Sequence, residues 1–135
     1  MPFRVLHFEG EAFAVVELSG VVRWPEVAGA LRTLYLHPRW VPGSDVIWDA
    51  TALTSVDIAP DDLADMRAAF EEVAAARAGG RTAFLASVGG HDELWALLPR
   101  LGPPSTRRVE VFHRRADALA YLGRTAMPEG GVVAA

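Results

Sequence analysis

Hydrophobic positions along this chain change period several times, and each change predicts a new element of secondary structure. The first two apolar runs, residues 3–8 and 12–18, flank a short connection that contains glycine, which is typical of a β-hairpin. Apolar residues then recur every three or four positions from Pro25 onward, which predicts an amphipathic helix. Pro38 ends this helix, because the residue before a proline is disfavoured in the helical conformation.

The stretch from Val46 to Leu63 organises the rest of the chain. A short apolar run ends at Asp49, a polar connection follows, and Pro60 opens a second amphipathic helix that continues to about Arg77. A run that is apolar throughout is typical of a strand buried on both faces. We therefore expect this strand in the centre of a sheet.

The remaining elements continue the alternation of strands and helices. Residues 82–86 predict another buried strand, residues 92–101 a helix, residues 108–112 a half-exposed strand near a sheet edge, and residues 116–122 a last helix. The order predicts an α/β fold with a mixed, mostly parallel sheet of about five strands and about four helices, in which an N-terminal β-hairpin precedes the alternating part. We expect a single domain over residues 1–123 and a flexible C-terminal tail over residues 124–135, which show no period.

Composition excludes several classes of function. The 135 residues contain no cysteine, so the chain has no disulfide, no thiol nucleophile and no thiolate metal site, which fits a cytoplasmic protein. No apolar run approaches the roughly 20 residues that span a bilayer, so we expect no transmembrane segment. The net charge of −4 argues against a nucleic-acid partner, since binding to phosphates needs a clustered basic excess.

Charge is unevenly distributed along the chain. Residues 45–93 hold ten acidic and three basic side chains, a net charge of −7, whereas residues 100–135 carry a net charge of +3. One interpretation is two solvated faces. The other is a polar surface that docks a partner or another copy of the chain.

Three segments resemble the SpoIIAA-like (STAS-type) domains, in particular the small uncharacterised bacterial proteins of that fold. They are the apolar strand 46–51 that ends in Asp49-Ala50-Thr51, the helix opening Ile58-Ala59-Pro60-Asp61-Asp62-Leu63, and Val111-Phe112 followed by residues 116–122. The resemblance covers residues 3–123 and implies a SpoIIAA-like fold. It also implies a regulatory role through protein contacts. The related lipid-carrying Sec14 type of domain adds the alternative of an apolar ligand or contact with a membrane surface.

One departure from that family concerns its phosphorylation switch. Anti-sigma-factor antagonists of this fold carry an Asp-Ser-Ser-Gly-like motif whose serine is phosphorylated at the turn into the second helix. The matching positions here are Asp57-Ile58-Ala59-Pro60, without a hydroxyl at Ile58 or Ala59. Thr54 and Ser55 lie upstream of the motif. We therefore do not expect the switch in this protein.

Two carboxylates are candidates for chemistry. Asp49 ends the predicted central strand at the edge where open α/β sheets bind ligands, and Asp57 follows it. On one rim they could serve acid–base catalysis or hold a cation. Alternatively, Asp49 accepts hydrogen bonds from the backbone of the next loop and Asp57 caps the helix.

Aromatic residues provide the candidates for binding. Trp24 and Trp40 bracket the first predicted helix, and Trp95 and Leu98 lie in the third, whereas we expect Trp48 in the core. If the first four converge, they form an apolar mouth or an exposed patch that would bind a ligand, a membrane or a partner. The alternative is ordinary packing of large side chains.

The histidines lack the paired spacing of zinc ligands, and no serine lies in a nucleophile-elbow motif, so we expect no metal, no cofactor and no catalytic residue. The sequence thus favours a non-enzymatic binding or regulatory module that acts through protein–protein contact, with self-association as a dimer or a separate protein partner. The alternative is a carrier or sensor of a small apolar, lipid-like ligand. An exposed aromatic patch would favour the module, and an enclosed apolar cavity of several hundred Å³ would favour the carrier.

Overall fold

The computed structural model describes residues 2–87 and 109–134. The predicted helix at residues 92–101, with Trp95 and Leu98, lies outside the described residues. The described strands are β1 (Phe3–Phe8), β2 (Phe13–Arg23), β3 (Asp45–Asp57), β4 (Thr82–Leu85), β5 (Val109–Phe112) and β6 (Val132–Val133). The described helices are α1 (Trp24–Tyr35), α2 (Leu63–Glu72), α3 (Ala74–Arg77) and α4 (Arg115–Tyr121), and a 3-10 turn at Pro60–Asp62 precedes α2.

The described strands form one six-stranded sheet in the order β5-β4-β3-β2-β1-β6. Strands β2, β3, β4 and β5 are parallel to one another, and β1 pairs antiparallel with β2 and with β6. This arrangement confirms the predicted α/β class, the N-terminal hairpin, the central place of β3 and the position of β5 at one edge.

The helices cover the two faces of the sheet separately. On one face, α1 and α2 bury apolar residues such as Leu31 and Met66 against Val16 and Trp48. On the other face, α4 packs Leu119 against a second cluster that includes Ile47. Trp48 is buried and stacks on Phe84 with ring centroids 5.8 Å apart, which confirms its predicted place in the core.

Two strands are longer than the sequence predicted. The apolar run was expected to end at Asp49, but β3 continues to Asp57, and β2 continues past Gly20 to Arg23. The two extensions pair with each other, from Ser19 opposite Ala52 to Arg23 opposite Asp57, with two irregularities in register. Each extension is a strand because the other one supplies its hydrogen bonds, a tertiary effect that a local pattern does not contain.

The second helix and the tail also differ from the prediction. The expected single helix from Pro60 to Arg77 is divided into the 3-10 turn, α2 and α3, with the break at Val73. Strand β6 lies in the stretch predicted to be a flexible tail, and the Ala134 N–H donates to the Val5 carbonyl at 2.9 Å. The division into a domain and a flexible tail stays a prediction.

Candidate interaction groove

A groove lies between α1 and α2 on one face of the sheet. Its volume is about 370 Å³. The lining consists of small residues, one aromatic residue and three ionic side chains: Trp24, Pro25, Ala28, Arg32, Asp65, Ala68, Ala69 and Glu72. We call this feature the α1–α2 groove.

The spacing of its residues shows how the sequence builds the α1–α2 groove. Helix α1 contributes residues 24, 28 and 32, and α2 contributes residues 65, 68, 69 and 72. Residues three and four apart lie on one face of a helix, so each helix turns one face toward the groove. Alanine at positions 28, 68 and 69 keeps the ridges low, which leaves a depression where larger side chains would fill the space.

Charges on the rim of the α1–α2 groove are mostly acidic. Arg32 lies 3.8 Å from Glu72, and about half of each side chain is exposed. Such an exposed pair contributes at most about 1 kcal/mol and is easily exchanged for other partners. Residues 61–72 hold five acidic side chains and one arginine, so the α2 side of the groove is negative.

Of the candidate tryptophans, Trp24 and Trp40 do not converge. Trp24 begins α1 and Trp40 follows its other end, and a helix of 12 residues is about 18 Å long. Both side chains are buried, with 6% and 8% of their surface exposed. Only Trp24 lines the α1–α2 groove, so the predicted common mouth of Trp24 and Trp40 is wrong.

Trp40 belongs to a closed cluster at the far end of α1. Its indole N–H donates to the Ala76 carbonyl at 3.0 Å, and its ring packs edge-on against Tyr35 at 4.8 Å. Arg77 is buried beside them and lies over the Phe70 ring. Burial raises the pKa of Tyr35 and keeps its hydroxyl neutral.

His7 lies near the same end of α1, in strand β1. One ring nitrogen, Nε2, lies 3.1 Å from the Leu34 carbonyl, and the ring stacks on His37 at 4.9 Å. Because a carbonyl only accepts, Nε2 carries the proton in the neutral ring. Burial lowers the pKa of His7, and the positive charge of nearby Arg39 acts in the same direction.

Asp49 is buried and fully engaged. Its Oδ1 accepts from the Thr51 N–H at 3.0 Å and from the Thr51 hydroxyl at 2.6 Å, and its Oδ2 lies 3.2 Å from the Arg115 guanidinium. Asp49 thus connects β3 to α4 across 66 residues of sequence. This geometry matches the structural interpretation of Asp49, in which it binds neighbouring backbone.

Asp57 has different surroundings and cannot pair with Asp49. Both residues lie in β3, eight positions apart, which corresponds to about 26 Å along a strand. Asp57 is exposed and lies 3.6 Å from exposed Arg23. It does not cap the following helix either, because the N-cap residue of the 3-10 turn is Ala59 and that of α2 is Asp62. The predicted rim of two carboxylates and the predicted cap at Asp57 are therefore both wrong.

The connection that corresponds to the phosphorylation motif leads from β3 into α2. Ile58 packs against the core, and exposed Ala59 precedes the 3-10 turn. Upstream, Thr54 is exposed and Ser55 is half-buried in β3. In the described part of the chain, no helix is long and apolar enough to cross a membrane. Within residues 2–87 and 109–134, no three histidine or carboxylate side chains are grouped to hold a metal ion.

Neither the known protein-family models nor the curated proteins gave a match to this sequence. Solved structures did. One is an uncharacterised DUF3478 family protein with a SpoIIAA-like fold from Shewanella loihica PV-4, at 15% identity and a TM-score of 0.54 over 89% of this chain and 94% of that one. Another is an anti-sigma factor antagonist from Mycobacterium paratuberculosis, also at 15% identity and a TM-score of 0.54, over 89% and 92% of the two chains. The likeness shows that this chain has a SpoIIAA-like fold, as the sequence resemblance implied.

Proposed function

We propose that this protein is a non-enzymatic binding module that acts through protein–protein contact, self-association included, and without a serine phosphorylation switch. The α1–α2 groove is the surface that makes the contact. The observation that carries the proposal is the groove itself, an open depression with an alanine floor and a charged rim between two helices. A cytoplasmic location is part of the proposal and rests on the cysteine-free sequence.

Two further observations support a binding role over an enzymatic one. The candidate carboxylate Asp49 uses both of its oxygens within the fold, through Thr51 and Arg115. The fold is shared with an anti-sigma factor antagonist, which by its name is a protein that acts on another protein. For the carrier alternative, the three ionic side chains on the α1–α2 groove are a poor lining, because carriers of apolar ligands need a mostly apolar cavity.

Native mass spectrometry of the purified chain over a range of concentrations tests the proposal. The informative variant is Ala68→Arg, which places a long side chain in the groove from an exposed position of α2. The matched control is Ala75→Arg, the same change at an exposed helical alanine of α3 outside the groove. We expect a dimer for the wild type and for Ala75→Arg, and a monomer for Ala68→Arg at the same concentration.

Two outcomes would contradict parts of the proposal. A wild type that stays monomeric at all concentrations removes self-association and leaves a separate protein as the partner. Extra mass that disappears on denaturation would identify a bound small molecule and would replace the module with the carrier.

A further inference from the structure

The charge and depth of the α1–α2 groove restrict what it can bind. Three of its lining residues are alanines, Ala28, Ala68 and Ala69, which we call the alanine floor; their short side chains allow the backbone of a third element to approach closely. Helices pack about 8–10 Å apart, and small residues at the contact permit the short end of that range. A groove of about 370 Å³ between two helices therefore suits the side chains along one face of a docked helix.

The rim selects the charge of such a helix. Asp65 and Glu72 line the groove, and Arg32, the only cation among its described lining residues, is already shared with Glu72 at 3.8 Å. Asp61 and Glu71 are exposed on the same segment and extend the negative surface beyond the groove. Complementary charge steers association and penalises partners of the same sign. An acidic rim around an apolar floor thus favours a basic partner.

We propose that the α1–α2 groove binds a basic amphipathic helix of a partner protein, with apolar side chains on the alanine floor and arginine or lysine side chains on the rim carboxylates. This rests on the proposed function and adds the chemistry of the partner. The occupant places apolar residues at positions i, i+3, i+4 and i+7, because that spacing gives the single ridge that a groove between helices accepts.

Fluorescence anisotropy with three labelled peptides tests the inference on the full chain. The first peptide is a 14-residue amphipathic helix with leucine on one face and arginine on its flanks; in the second and third, glutamine and glutamate replace arginine. We expect the arginine peptide to bind about tenfold more tightly than the glutamine peptide and the glutamate peptide not to bind, because two rim carboxylates lose their partners. Raising the salt concentration should lower the affinity for the arginine peptide and leave that for the glutamine peptide unchanged.

Variants of the chain show where the arginine peptide binds and which carboxylates the binding needs. Ala68→Arg should lower the affinity for the arginine peptide at least about tenfold, whereas Ala75→Arg should leave this affinity unchanged. The double variant Asp65→Asn with Glu72→Gln should reduce binding of the arginine peptide to the level of the glutamine peptide. Asp117→Asn removes an exposed carboxylate of α4, on the other face of the sheet, and should change nothing.

The outcomes separate this inference from the proposed function. If the glutamine or glutamate peptide binds as tightly as the arginine peptide, the partner chemistry is wrong. If Ala68→Arg abolishes dimerisation but leaves binding of the arginine peptide unchanged, the groove binds a second copy and the inference alone fails. If the wild type is a dimer that Ala68→Arg does not disrupt, and no peptide binds, both proposals fail.

Discussion

The two ends of helix α1 carry the same sequence feature, a tryptophan near a proline, but their surroundings differ. At the first end, Trp24 lines the open α1–α2 groove beside alanines and half-exposed ionic side chains. At the second end, Trp40 is fixed by a hydrogen bond and by an aromatic contact. A protein surface that binds must keep some of its contacts unused, whereas the Trp40 side chain has already made its hydrogen bond and its aromatic contact. We therefore propose binding for the first end of α1, and we expect the second end to stabilise the fold.

The largest expected effect comes from emptying the closed end. Trp40→Ala removes a buried indole, its edge-on contact with Tyr35 and the hydrogen bond to the Ala76 carbonyl. We expect the free energy of unfolding to fall by about 4 kcal/mol, because truncating a buried tryptophan leaves a cavity that the structure cannot fill. Urea unfolding followed by circular dichroism measures this change.

The control for this substitution is Leu36→Ala, at an exposed neighbour in the same part of the chain. Leu36→Ala should change the free energy of unfolding by no more than about 0.5 kcal/mol, as is usual for surface positions. A cost of Trp40→Ala no larger than that of Leu36→Ala would show that the second end of α1 is not a stabilising cluster.

A matched pair of smaller changes compares the two ends directly. Phenylalanine keeps the aromatic ring but removes the indole N–H. Trp40→Phe leaves the Ala76 carbonyl without its indole donor, whereas the indole N–H of Trp24 donates to no residue within 2–87 and 109–134. We expect Trp40→Phe to lower the free energy of unfolding by about 1 kcal/mol more than Trp24→Phe does, which is the typical cost of such a loss.

Both variants change the indole by the same volume, so the difference between their urea midpoints reports the hydrogen bond. If both variants lower the free energy of unfolding equally, the Trp40 hydrogen bond does not contribute to stability. The two ends of α1 would then differ in packing alone.

Most of the fold could be predicted from the sequence because most elements are held by their own apolar faces. Helix α1 was predicted from the spacing of Val27, Leu31 and Leu34, and all three residues are buried. Strand β4 was predicted from a short apolar run, and its four residues are buried. In such segments, local periodicity and tertiary packing agree, so the pattern is sufficient.

The predictions failed where a residue's role depends on a distant segment. The end of β3 depends on its pairing with the end of β2, and β6 depends on hydrogen bonds to β1. The α1–α2 groove depends on the alanines of two helices that lie about 40 residues apart. Alanine at positions 28 and 68 carries no signal of its own in one sequence. The spacing within each helix could have indicated a common ridge, but not which ridges face each other.

The smallest expected effect concerns the protonation of His7. Protonation removes no contact near the second end of α1, but it adds a positive charge there. Burial lowers the pKa of His7 below 6.5 in the folded state, whereas the unfolded chain has the ordinary value. The unfolded state therefore binds more protons as the pH falls below about 6.5, and the free energy of unfolding decreases in that range. Above this pH, His7 is neutral in both states and its effect disappears.

The charged and titratable neighbours of His7 make this effect measurable by difference. His37 stacks on its ring, Arg39 acts on it electrostatically, and Glu9 pairs with Arg39. His7→Gln cannot titrate at this position and keeps those neighbours, so their contributions cancel when the two proteins are compared. We expect urea midpoints between pH 8 and pH 5.5 to fall more for the wild type than for His7→Gln. Parallel pH dependences would show that His7 is accommodated in its charged form, and the second end of α1 would then be less closed than its contacts indicate.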